Sequence, residues 1–329
     1  MPDKRLVSGM RPTGRLHLGN LLGALQNWVD LQNSGLYDCF YFIADWHALT
    51  SDYDQTESLK NYRTEIIIDW LASGLDPEKS TLFIQSAIKE HAELYLLLSM
   101  ITPLPWLERN PTYKEMKAEL ADRDLSTLGF LGYPVLQAAD IIMYKAHGVP
   151  VGADQLPHIE LTREIVRRFH YLYRDVFPIP EPLLADFPKI LGIDGRKMSK
   201  SYDNAIYLND RGDALREKVS RMFTDPQRIR RSDPGRPELC NVFAFHGIYT
   251  DPERQKQIEY DCIHARMGCT DCKKNLADNL LKATEPIHER QDYYGSHPDT
   301  VGEIIASGNE RAQTIAQSTM EEIREAIRI

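Results

Sequence analysis

The feature that most constrains the fold is the alternation of short apolar runs with amphipathic segments in the first part of the chain. Apolar runs of strand length occupy Leu6–Met10, Cys39–Ala44 and Thr81–Gln85. Between them, apolar residues three and four positions apart predict one helix that begins at Asn20 and another over Ser58–Gly74. Strands that alternate with helices favour a parallel sheet with right-handed crossovers. The sequence therefore predicts an α/β fold built on a parallel sheet.

The middle of the chain continues this pattern. Helical spacing covers Leu94–Ile101 and Tyr133–Tyr144, and Gly148–Gly152 is predicted as a buried strand before a helix over Gln155–His170. The Pro-rich stretch Phe177–Pro188 is predicted to be a connector and not a core element.

Helical patterns replace the alternation after about residue 195. They cover Leu215–Phe223, Pro252–Cys262, Lys273–Tyr294 and Gly308–Ile327. No strong strand pattern accompanies them. We therefore predict a Rossmann-type domain over residues 1–194, an all-helical domain over 195–300, and a C-terminal helix over 301–329 that packs back on the body.

The composition excludes several classes of protein. The chain has 329 residues, of which 42% are hydrophobic and 26% charged, which excludes a disordered chain, a collagen and a coiled-coil rod. A net charge of −9 argues against a nucleic-acid coat over the whole surface, but it allows a local basic groove. The apolar runs are far shorter than the roughly 20 residues that span a bilayer, and the N-terminus lacks a signal-peptide pattern. We expect a cytoplasmic protein that does not enter a membrane.

The first candidate site is the segment Arg11-Pro-Thr-Gly-Arg-Leu-His-Leu-Gly-Asn20, where the first strand is followed by the first helix. A helix N-terminus offers free N–H groups and a positive dipole end to a phosphate. Gly19 allows a nucleotide to approach the backbone closely, and His17 is placed to donate to phosphate oxygens. A plain strand–helix turn with a surface histidine is the alternative interpretation.

The second candidate site is the loop Gly195-Arg-Lys-Met-Ser-Lys-Ser201. Its lysines, Lys197 and Lys200, are point-charge phosphate binders, and a mobile loop that carries them suits a clamp on phosphates in a transition state. A solvated basic loop is the alternative.

Together these segments resemble the two signatures of class I aminoacyl-tRNA synthetases. His17-Leu-Gly-Asn20 is similar to the HIGH signature, with Asn20 in place of its last histidine, as in the tryptophanyl branch; Lys197-Met-Ser-Lys-Ser201 matches KMSKS letter for letter. Further blocks at Ser8–Gly14, Asp45–Thr50 and Val149–Gln155 resemble the tryptophanyl-tRNA synthetase family over most of the chain.

The resemblance implies a reaction in two steps. L-tryptophan is activated with ATP and Mg²⁺ to tryptophanyl-adenylate and pyrophosphate, and is then transferred to the 3′ end of tRNA(Trp). The implied catalytic residues are His17, Lys197, Lys200 and Lys114. The implied ATP-binding residues are Arg11, Thr13, Gly19, Asn20, Gly152, Asp154, Gln155, Met198, Ser199 and Ser201.

By the same resemblance, Asp140 reads the indole N–H of tryptophan. A carboxylate within the apolar run Ala138-Ala-Asp-Ile-Ile142 is costly to bury without a partner, and a partner from its own protein is the alternative to a ligand. The implied pocket walls are Val7, His47, Tyr133, Gln137, Val151 and Gln155.

The spacing Tyr133-x3-Gln137-x2-Asp140 also resembles the tyrosine-reading pattern of the sister tyrosyl enzymes, so the pocket motif alone does not separate the two amino acids. The flanking blocks favour tryptophan. A tyrosyl-type synthetase and a catalytically silent tRNA-binding paralogue stay as alternatives.

Four of the five cysteines form a cluster, Cys240, Cys262, Cys269 and Cys272, with the spacing C-x21-C-x6-C-x2-C. Thiolates in such a group bind zinc or an iron–sulfur cluster, and ligand type alone does not choose between them. The spacing resembles that of a subset of tryptophanyl-tRNA synthetases with a [4Fe–4S] cluster in the C-terminal region, which implies a structural cluster. Zinc, or no metal, is the alternative.

A basic stretch accompanies the cysteines on this acidic chain, and we expect the tRNA backbone there. Its members are Arg216, Lys218, Arg221, Arg228, Arg230, Arg231 and Arg236. A solvated charged helix is the alternative. The family resemblance further implies that the helical domain binds the tRNA anticodon, and that residues 105–132, roughly, form the interface of a homodimer.

Overall fold

The computed structural model describes residues 2–111, 113, 114, 125–184 and 190–329. Within these ranges, five strands form one parallel sheet in the order β3-β2-β1-β4-β5. The strands are β1 (Arg5–Met10), β2 (Asp38–Ile43), β3 (Ser80–Ile84), β4 (Gly148–Val151) and β5 (Glu181–Leu184). The predicted α/β fold with a Rossmann-type parallel sheet is therefore confirmed.

Helices connect the strands and make up most of the described chain beyond residue 211. The first helix, α1, passes through a π-helical turn at Leu21–Leu25 into α2. The helices are α1 (Leu18–Asn20), α2 (Gln26–Ser34), α3 (Asp45–Asp52), α4 (Leu59–Ala72), α5 (Glu90–Ile101), α6 (Leu104–Glu108), α7 (Leu128–Met143), α8 (Leu156–Leu172), α9 (Gly212–Ser220), α10 (Asn241–Tyr249), α11 (Pro252–Ile263), α12 (Cys269–Ser296) and α13 (Pro298–Ile327).

The chain divides into two compact units. The first, which we call the sheet unit, comprises Met1–Gly14, Ala24–Asp186 and Tyr294–Ile329. Its strands β1 and β2 pair in register from Arg5 opposite Asp38 to Met10 opposite Ile43. Side chains from both strands and from α7 and α8 form one hydrophobic core.

The C-terminal helix α13 lies along the edge strand β3 in the sheet unit. The backbone N–H of Ile84 donates to Oδ1 of Asn309 at 2.9 Å, and a Cβ at Gly308 would overlap the Leu82 carbonyl oxygen. Arg324 donates to both carboxylate oxygens of Glu93 on α5, at 2.8 and 2.6 Å. An edge strand that would otherwise present unpaired backbone groups is thus covered by a helix.

The second unit, which we call the helical unit, comprises Arg15–Gly23 and Phe187–Tyr293. Its N-terminal piece joins the rest by backbone pairing, because Leu18 N–H donates to the Ile206 carbonyl and Leu208 N–H donates to the Leu16 carbonyl, each at 2.9 Å. The piece that carries His17 therefore belongs to the same unit as the loop over residues 195–201.

Two sequence predictions need correction or completion. The stretch Phe177–Pro188 is not only a connector, because Glu181–Leu184 forms β5 and pairs in parallel with β4. This strand does not show the continuous apolar run that marks a buried strand, because it lies at the sheet edge and is partly exposed. It also contains Pro182, which an edge strand tolerates. Helices α3, α6 and α10 were not predicted. Most of the predicted exposed stretch Lys114–Asp124 lies outside the described residues.

Within the described ranges, no helix has the length and apolar content needed to cross a membrane.

Candidate active site

His17 occupies the position just before helix α1. Its own backbone N–H donates to Oδ1 of Asn20 at 3.0 Å, so Asn20 ties the first turn to the histidine. Burial lowers the pKa of His17 to about 4, and the charge of Lys200 contributes to the shift in the same direction. The imidazole is therefore neutral at pH 7, and its Nδ1 has no hydrogen-bond partner among the described residues.

Gly19 keeps the space beside this imidazole open. A Cβ on Gly19 would lie 2.9 Å from Nδ1 of His17 and 3.7 Å from Cβ of Met198. The HIGH-like turn and the KMSKS loop are thus neighbours within the helical unit, which brings together His17, Gly19, Asn20, Met198 and Lys200.

The KMSKS loop is held by a residue that the sequence analysis missed, Asn204. Its Oδ1 accepts from the Ser199 N–H at 2.8 Å, and its Nδ2 donates to Oδ1 of Asp194 at 2.7 Å and to the Lys197 carbonyl at 3.1 Å. Asn204 is buried, as is Met198, whereas Lys197 is exposed and Lys200 is half-buried. The loop therefore has a fixed base, from which the Lys197 side chain extends into solvent while Lys200 stays half-buried near His17. The backbone of Ser201 continues it into a short 3₁₀ turn.

The predicted nucleotide residues of the sheet unit lie at the carboxyl ends of β1 and β4, where ligands bind in open parallel sheets. After β1, the Arg11 guanidinium donates to Oδ2 of Asp52 at 3.1 Å and contacts the Ser51 hydroxyl. Asp52 and the exposed residue Thr13 line a cavity of about 330 Å³.

After β4, the turn contains Gly152, Asp154 and Gln155. Gln155 Nε2 donates to Oδ2 of Asp154 at 3.1 Å. A Cβ on Gly152 would lie 2.6 Å from Oδ1 of Asp154, so a glycine at this position avoids a clash with the Asp154 carboxylate. Val151, at the end of β4, packs partly buried against the core.

Asp140 is the central buried charge of the sheet unit. It lies on α7 with 1% of its surface exposed. Its Oδ2 lies 2.8 Å from Nε2 of His47, and its Oδ1 lies 2.6 Å from Nδ1 of His91. Gln85 Nε2 donates to both oxygens at 2.8 Å. Burial disfavours the charged form, but the hydrogen bonds of the two histidines outweigh it and lower the pKa of Asp140.

Two other predicted pocket residues, Tyr133 and Gln137, lie on α7 with Asp140. The Tyr133 hydroxyl lies 3.1 Å from Nε2 of His158, and burial lowers the pKa of His158 to about 4 and raises that of Tyr133. Gln137 is half-buried one turn before Asp140, and Val7 is fully buried in the core. Lys114 is exposed beside residues that the structure does not describe. The sequence carried no signal for Gln85 or His91, because each meets Asp140 across a long separation in the chain. His158 begins a block, His158–Arg163, that resembles the family, but its contact with Tyr133 was not predicted.

The four clustered cysteines lie in or directly before three consecutive helices of the helical unit. Cys240 precedes α10, Cys262 lies in α11, and Cys269 and Cys272 lie in the first turn of α12. All four line one cavity of about 20 Å³. Arg228 Nη1 lies 3.5 Å from Sγ of Cys262 and 3.9 Å from Sγ of Cys269.

These thiols line one cavity, but their arrangement is not that of a preformed metal-binding site. Within the described ranges, no group of three or more histidine, cysteine, aspartate or glutamate side chains is arranged to hold a metal ion. Burial raises the pKa of Cys240 and Cys262, and it raises that of Cys272 to about 12, with the neighbouring thiols adding to the shift. Metal binding would therefore have to displace thiol protons and draw the sulfurs together. The donor set itself suits a soft metal or an iron–sulfur cluster.

The basic stretch is largely neutralised within its own unit. Lys218 Nζ lies 2.6 Å from Oδ2 of Asp210, Arg216 lies 2.6 Å from Asp278, and Arg236 Nε lies 3.0 Å from Oδ2 of Asp225. Arg221, Arg230 and Arg231 are exposed. Arg231 Nη2 lies 3.6 Å from Oδ2 of Asp271, so a nucleic-acid contact there would rest mainly on Arg221 and Arg230.

Comparison with known proteins gives a consistent result. A family model for class I tRNA synthetases (W and Y) matches residues 2–285. The tryptophan–tRNA ligase of Thermotoga maritima is 54% identical over 326 residues, which is 99% of this chain and 99% of the relative. That of Aquifex aeolicus is 46% identical over 395 aligned positions, covering 99% of this chain and 100% of the relative. A crystal structure of tryptophanyl-tRNA synthetase from Campylobacter jejuni, complexed with ADP and tryptophan, has a TM-score of 0.91 at 33% identity and covers 99% of this chain and 100% of that one.

Proposed function

The chain belongs to the class I tRNA synthetases of the tryptophan and tyrosine type, and from this we propose that it activates L-tryptophan with ATP and joins it to tRNA(Trp). Its full-length relatives are tryptophan–tRNA ligases, and the chain is an enzyme of that kind. The observation that carries the proposal is the full-length match together with intact HIGH-like and KMSKS segments in one compact unit.

The proposed first step is an in-line attack of the tryptophan carboxylate on the α-phosphate of ATP. The bond from the carboxylate oxygen to phosphorus forms, and the bond to pyrophosphate breaks. Such phosphoryl chemistry depends on positioning and charge neutralisation more than on a protein nucleophile. We assign neutralisation to Lys197, Lys200 and Lys114, and a hydrogen bond to phosphate to the neutral His17. Mg²⁺ accompanies the phosphates of ATP. In the second step a hydroxyl of the 3′-terminal ribose of tRNA attacks the aminoacyl carbonyl of the adenylate. An ester bond forms, the anhydride bond to AMP breaks, and AMP leaves as the hydroxyl gives up its proton.

The remaining nucleotide contacts are proposed from their places in the two units. In the sheet unit these are residues after β1 and β4, and in the helical unit they are backbone and side chains of the two signature segments. They are Arg11, Thr13, Gly152, Asp154, Gln155, Gly19, Asn20, Met198, Ser199 and Ser201. The exposed turn after β4 supports this assignment, since glycine there leaves room beside a carboxylate suited to a ribose hydroxyl.

The proposed tryptophan pocket is centred on Asp140, with Val7, His47, Tyr133, Gln137, Val151 and Gln155 around it. An ionised, fully buried carboxylate supports a role as acceptor for the indole N–H, because a charged acceptor makes the stronger hydrogen bond. Gln137 supports the competing tyrosyl-type assignment, since the spacing of Tyr133, Gln137 and Asp140 resembles the tyrosine-reading pattern.

ATP–pyrophosphate exchange with each of the twenty amino acids tests this function. We expect exchange with tryptophan alone. Exchange with tyrosine alone would assign the chain to the tyrosyl type and recast Gln137 and Asp140 as its specificity pair. Binding of tRNA without any exchange would identify a catalytically silent paralogue.

We also propose that the four cysteines hold a [4Fe–4S] cluster, with zinc as the alternative. Their position around one cavity supports this, because four thiolates are the usual ligands of such clusters. When bound, the group would link α10, α11 and α12 and stabilise the region that we assign to the tRNA anticodon and to the exposed arginines. The test is anaerobic purification with metal analysis and a visible spectrum. Brown absorbance with iron and sulfide supports the cluster, whereas stoichiometric zinc selects the alternative.

A Cys269→Ser variant separates a bound cluster from adventitious iron. It is expected to lose the absorbance and the stoichiometric iron, because a thiolate ligand is gone. Cys39→Ser is the matched control, since Cys39 lies buried in β2 within the sheet unit and is expected to leave the spectrum unchanged. Iron retained in full by Cys269→Ser would count against the assignment.

A homodimer and a cytoplasmic location complete the proposal. Leu96, Met100, Leu104 and Leu128 of the sheet unit each expose more than half of their surface; the first three precede the region predicted for the dimer interface, and Leu128 lies within it. Large apolar side chains exposed together mark a protein interface. Sedimentation equilibrium is expected to give twice the 37.8 kDa chain mass. Leu128→Glu is expected to weaken the dimer, and Tyr171→Glu, at an exposed site on α8, serves as the control.

A further inference from the structure

The carboxylate of Asp140 has both oxygens occupied before any substrate arrives. His91 Nδ1 and Gln85 Nε2 lie 2.6 and 2.8 Å from Oδ1, while His47 Nε2 and Gln85 Nε2 each lie 2.8 Å from Oδ2. An indole N–H that reaches this carboxylate must therefore replace one of these donors or share its oxygen.

The donors differ in how enclosed they are. His91 and Gln85 are fully buried, whereas 11% of the His47 side chain is exposed. His91 also packs among aromatic rings, with centroid distances of 5.4 Å to Tyr144 and 6.3 Å to both Phe42 and Phe83. Close-packed interiors leave such a ring little room to move. His47 is thus the donor that is able to yield, and His91 and Gln85 are the fixed ones.

The proton arrangement on His91 follows from its two partners. The Asp140 carboxylate only accepts hydrogen bonds, so the 2.6 Å contact with its Oδ1 places a proton on Nδ1 of His91, which donates to Asp140. The Tyr144 hydroxyl lies 2.7 Å from Nε2 on the other side of the ring. Burial raises the pKa of Tyr144 well above its ordinary value, so its hydroxyl keeps a proton that it is able to donate to Nε2.

We propose that His91 is a positioning residue for amino-acid selection. Oriented by Tyr144 and assisted by Gln85, it holds the Asp140 carboxylate in place, so that the indole N–H can replace His47 as a hydrogen-bond donor to that carboxylate. This inference rests on the proposed role of Asp140 as the indole acceptor. A carboxylate that turns away, or that loses its charge, accepts the indole N–H poorly. His91 acts only through Asp140 and touches no reacting atom.

The test compares tryptophan with β-(3-benzothienyl)alanine, in which sulfur replaces the indole N–H. The readout is the ratio of kcat/KM values in ATP–pyrophosphate exchange. His91→Leu is expected to lower the preference for tryptophan by about 10- to 100-fold, the range for a hydrogen bond to a charged group. The loss is expected in the KM for tryptophan, with kcat and the constants for the analogue nearly unchanged.

Two conservative variants sharpen the test. His91→Asn places an amide nitrogen close to the position of Nδ1 and is expected to restore most of the preference. Tyr144→Phe removes only the hydroxyl behind His91, and it is expected to lower the preference by about 2- to 10-fold, the range for a neutral hydrogen bond. His288→Asn is the matched control for loss of a buried histidine, because His288 bonds the Leu208 carbonyl at 2.9 Å in the helical unit. It is expected to leave the preference unchanged.

The outcomes separate this inference from the proposed function. If Asp140→Asn lowers the preference for tryptophan but a folded His91→Leu keeps the wild-type preference, the role of His91 is overturned. The role of Asp140 as the indole acceptor then stands. Asp140→Asn with the wild-type preference, or a wild type without tryptophan-dependent exchange, overturns the proposed function itself. If His91→Leu does not fold, Tyr144→Phe decides, and an unchanged preference in that variant overturns the inference.

Discussion

Oδ1 of Asn204 lies 2.8 Å from the backbone nitrogen of Ser199 and accepts its hydrogen bond at the centre of the KMSKS loop. The same side chain donates to Asp194 and to the Lys197 carbonyl, so one buried amide fixes three points of the loop. The loop lysines therefore start from a defined base, which reduces the entropy lost when they engage phosphates.

Asn204→Ala is expected to slow tryptophan-dependent pyrophosphate exchange by about 10²-fold, the effect of misplacing a catalytic group by about 1 Å. The KM for tryptophan is expected to stay near the wild-type value, because Asn204 belongs to the helical unit and the proposed tryptophan pocket to the sheet unit. Asn279→Ala is the matched control, since Asn279 bonds the Thr250 hydroxyl in the same unit, away from the loop. Equal rates in the two variants would show that the clamp is dispensable.

Lys200→Ala tests the transition-state role of the loop itself. Removing one electrostatic donor to developing charge costs about 10²–10³ in rate. Adenylate formation, measured by rapid quench, is expected to fall by that factor, with little change in tryptophan affinity measured by calorimetry. Lys273→Ala removes another lysine of the helical unit, which bonds the Ser220 carbonyl, and is expected to keep the wild-type rate. A Lys200→Ala variant that loses rate and tryptophan affinity in equal measure would contradict the role.

The sequence was most informative where burial leaves a pattern and least informative where partners are distant along the chain. The buried strands β1, β2 and β3 were found because each is a continuous apolar run. Strand β5 was missed because Glu181 and Pro182 interrupt such a run at a sheet edge. Asp140 stood out as a charge in an apolar helix, whereas its partners Gln85 and His91 are separated from it by 55 and 49 positions. Asn204 follows the KMSKS signature closely but has no periodicity that marks a clamp.

Two buried histidines predict a loss of stability in mild acid. Burial lowers the pKa of both His17 and His158 from 6.5 to about 4. Between these pH values the unfolded chain binds protons that the folded chain does not, so the free energy of unfolding falls as the pH drops from 6.5 towards 4. Urea unfolding at a series of pH values measures this slope.

A His158→Gln variant isolates one of the two contributions. It removes a titrating group that the fold keeps neutral, so its free energy of unfolding is expected to depend less steeply on pH between 6.5 and 4. His264→Gln is the control, because the His264 side chain is exposed and is expected to keep the wild-type slope. A slope unchanged in His158→Gln would contradict the burial argument.

Gly308 and Gly302 lie on the same helix, α13, and predict opposite effects of the same substitution. Gly308 faces β3, where a Cβ would overlap the Leu82 carbonyl oxygen, so Gly308→Ala must push the helix away from the strand and is expected to destabilise the protein by about 1–3 kcal/mol. A Cβ added at Gly302 would meet no atom of the described chain within 4 Å, so Gly302→Ala gains helix propensity of about 0.5–1 kcal/mol without a clash. Urea unfolding of both variants measures the two changes. Because the substitutions are chemically identical, a shared sign would show that contact with Leu82 does not decide the packing of α13, whereas opposite signs would assign the difference to the close approach of this helix to the sheet edge.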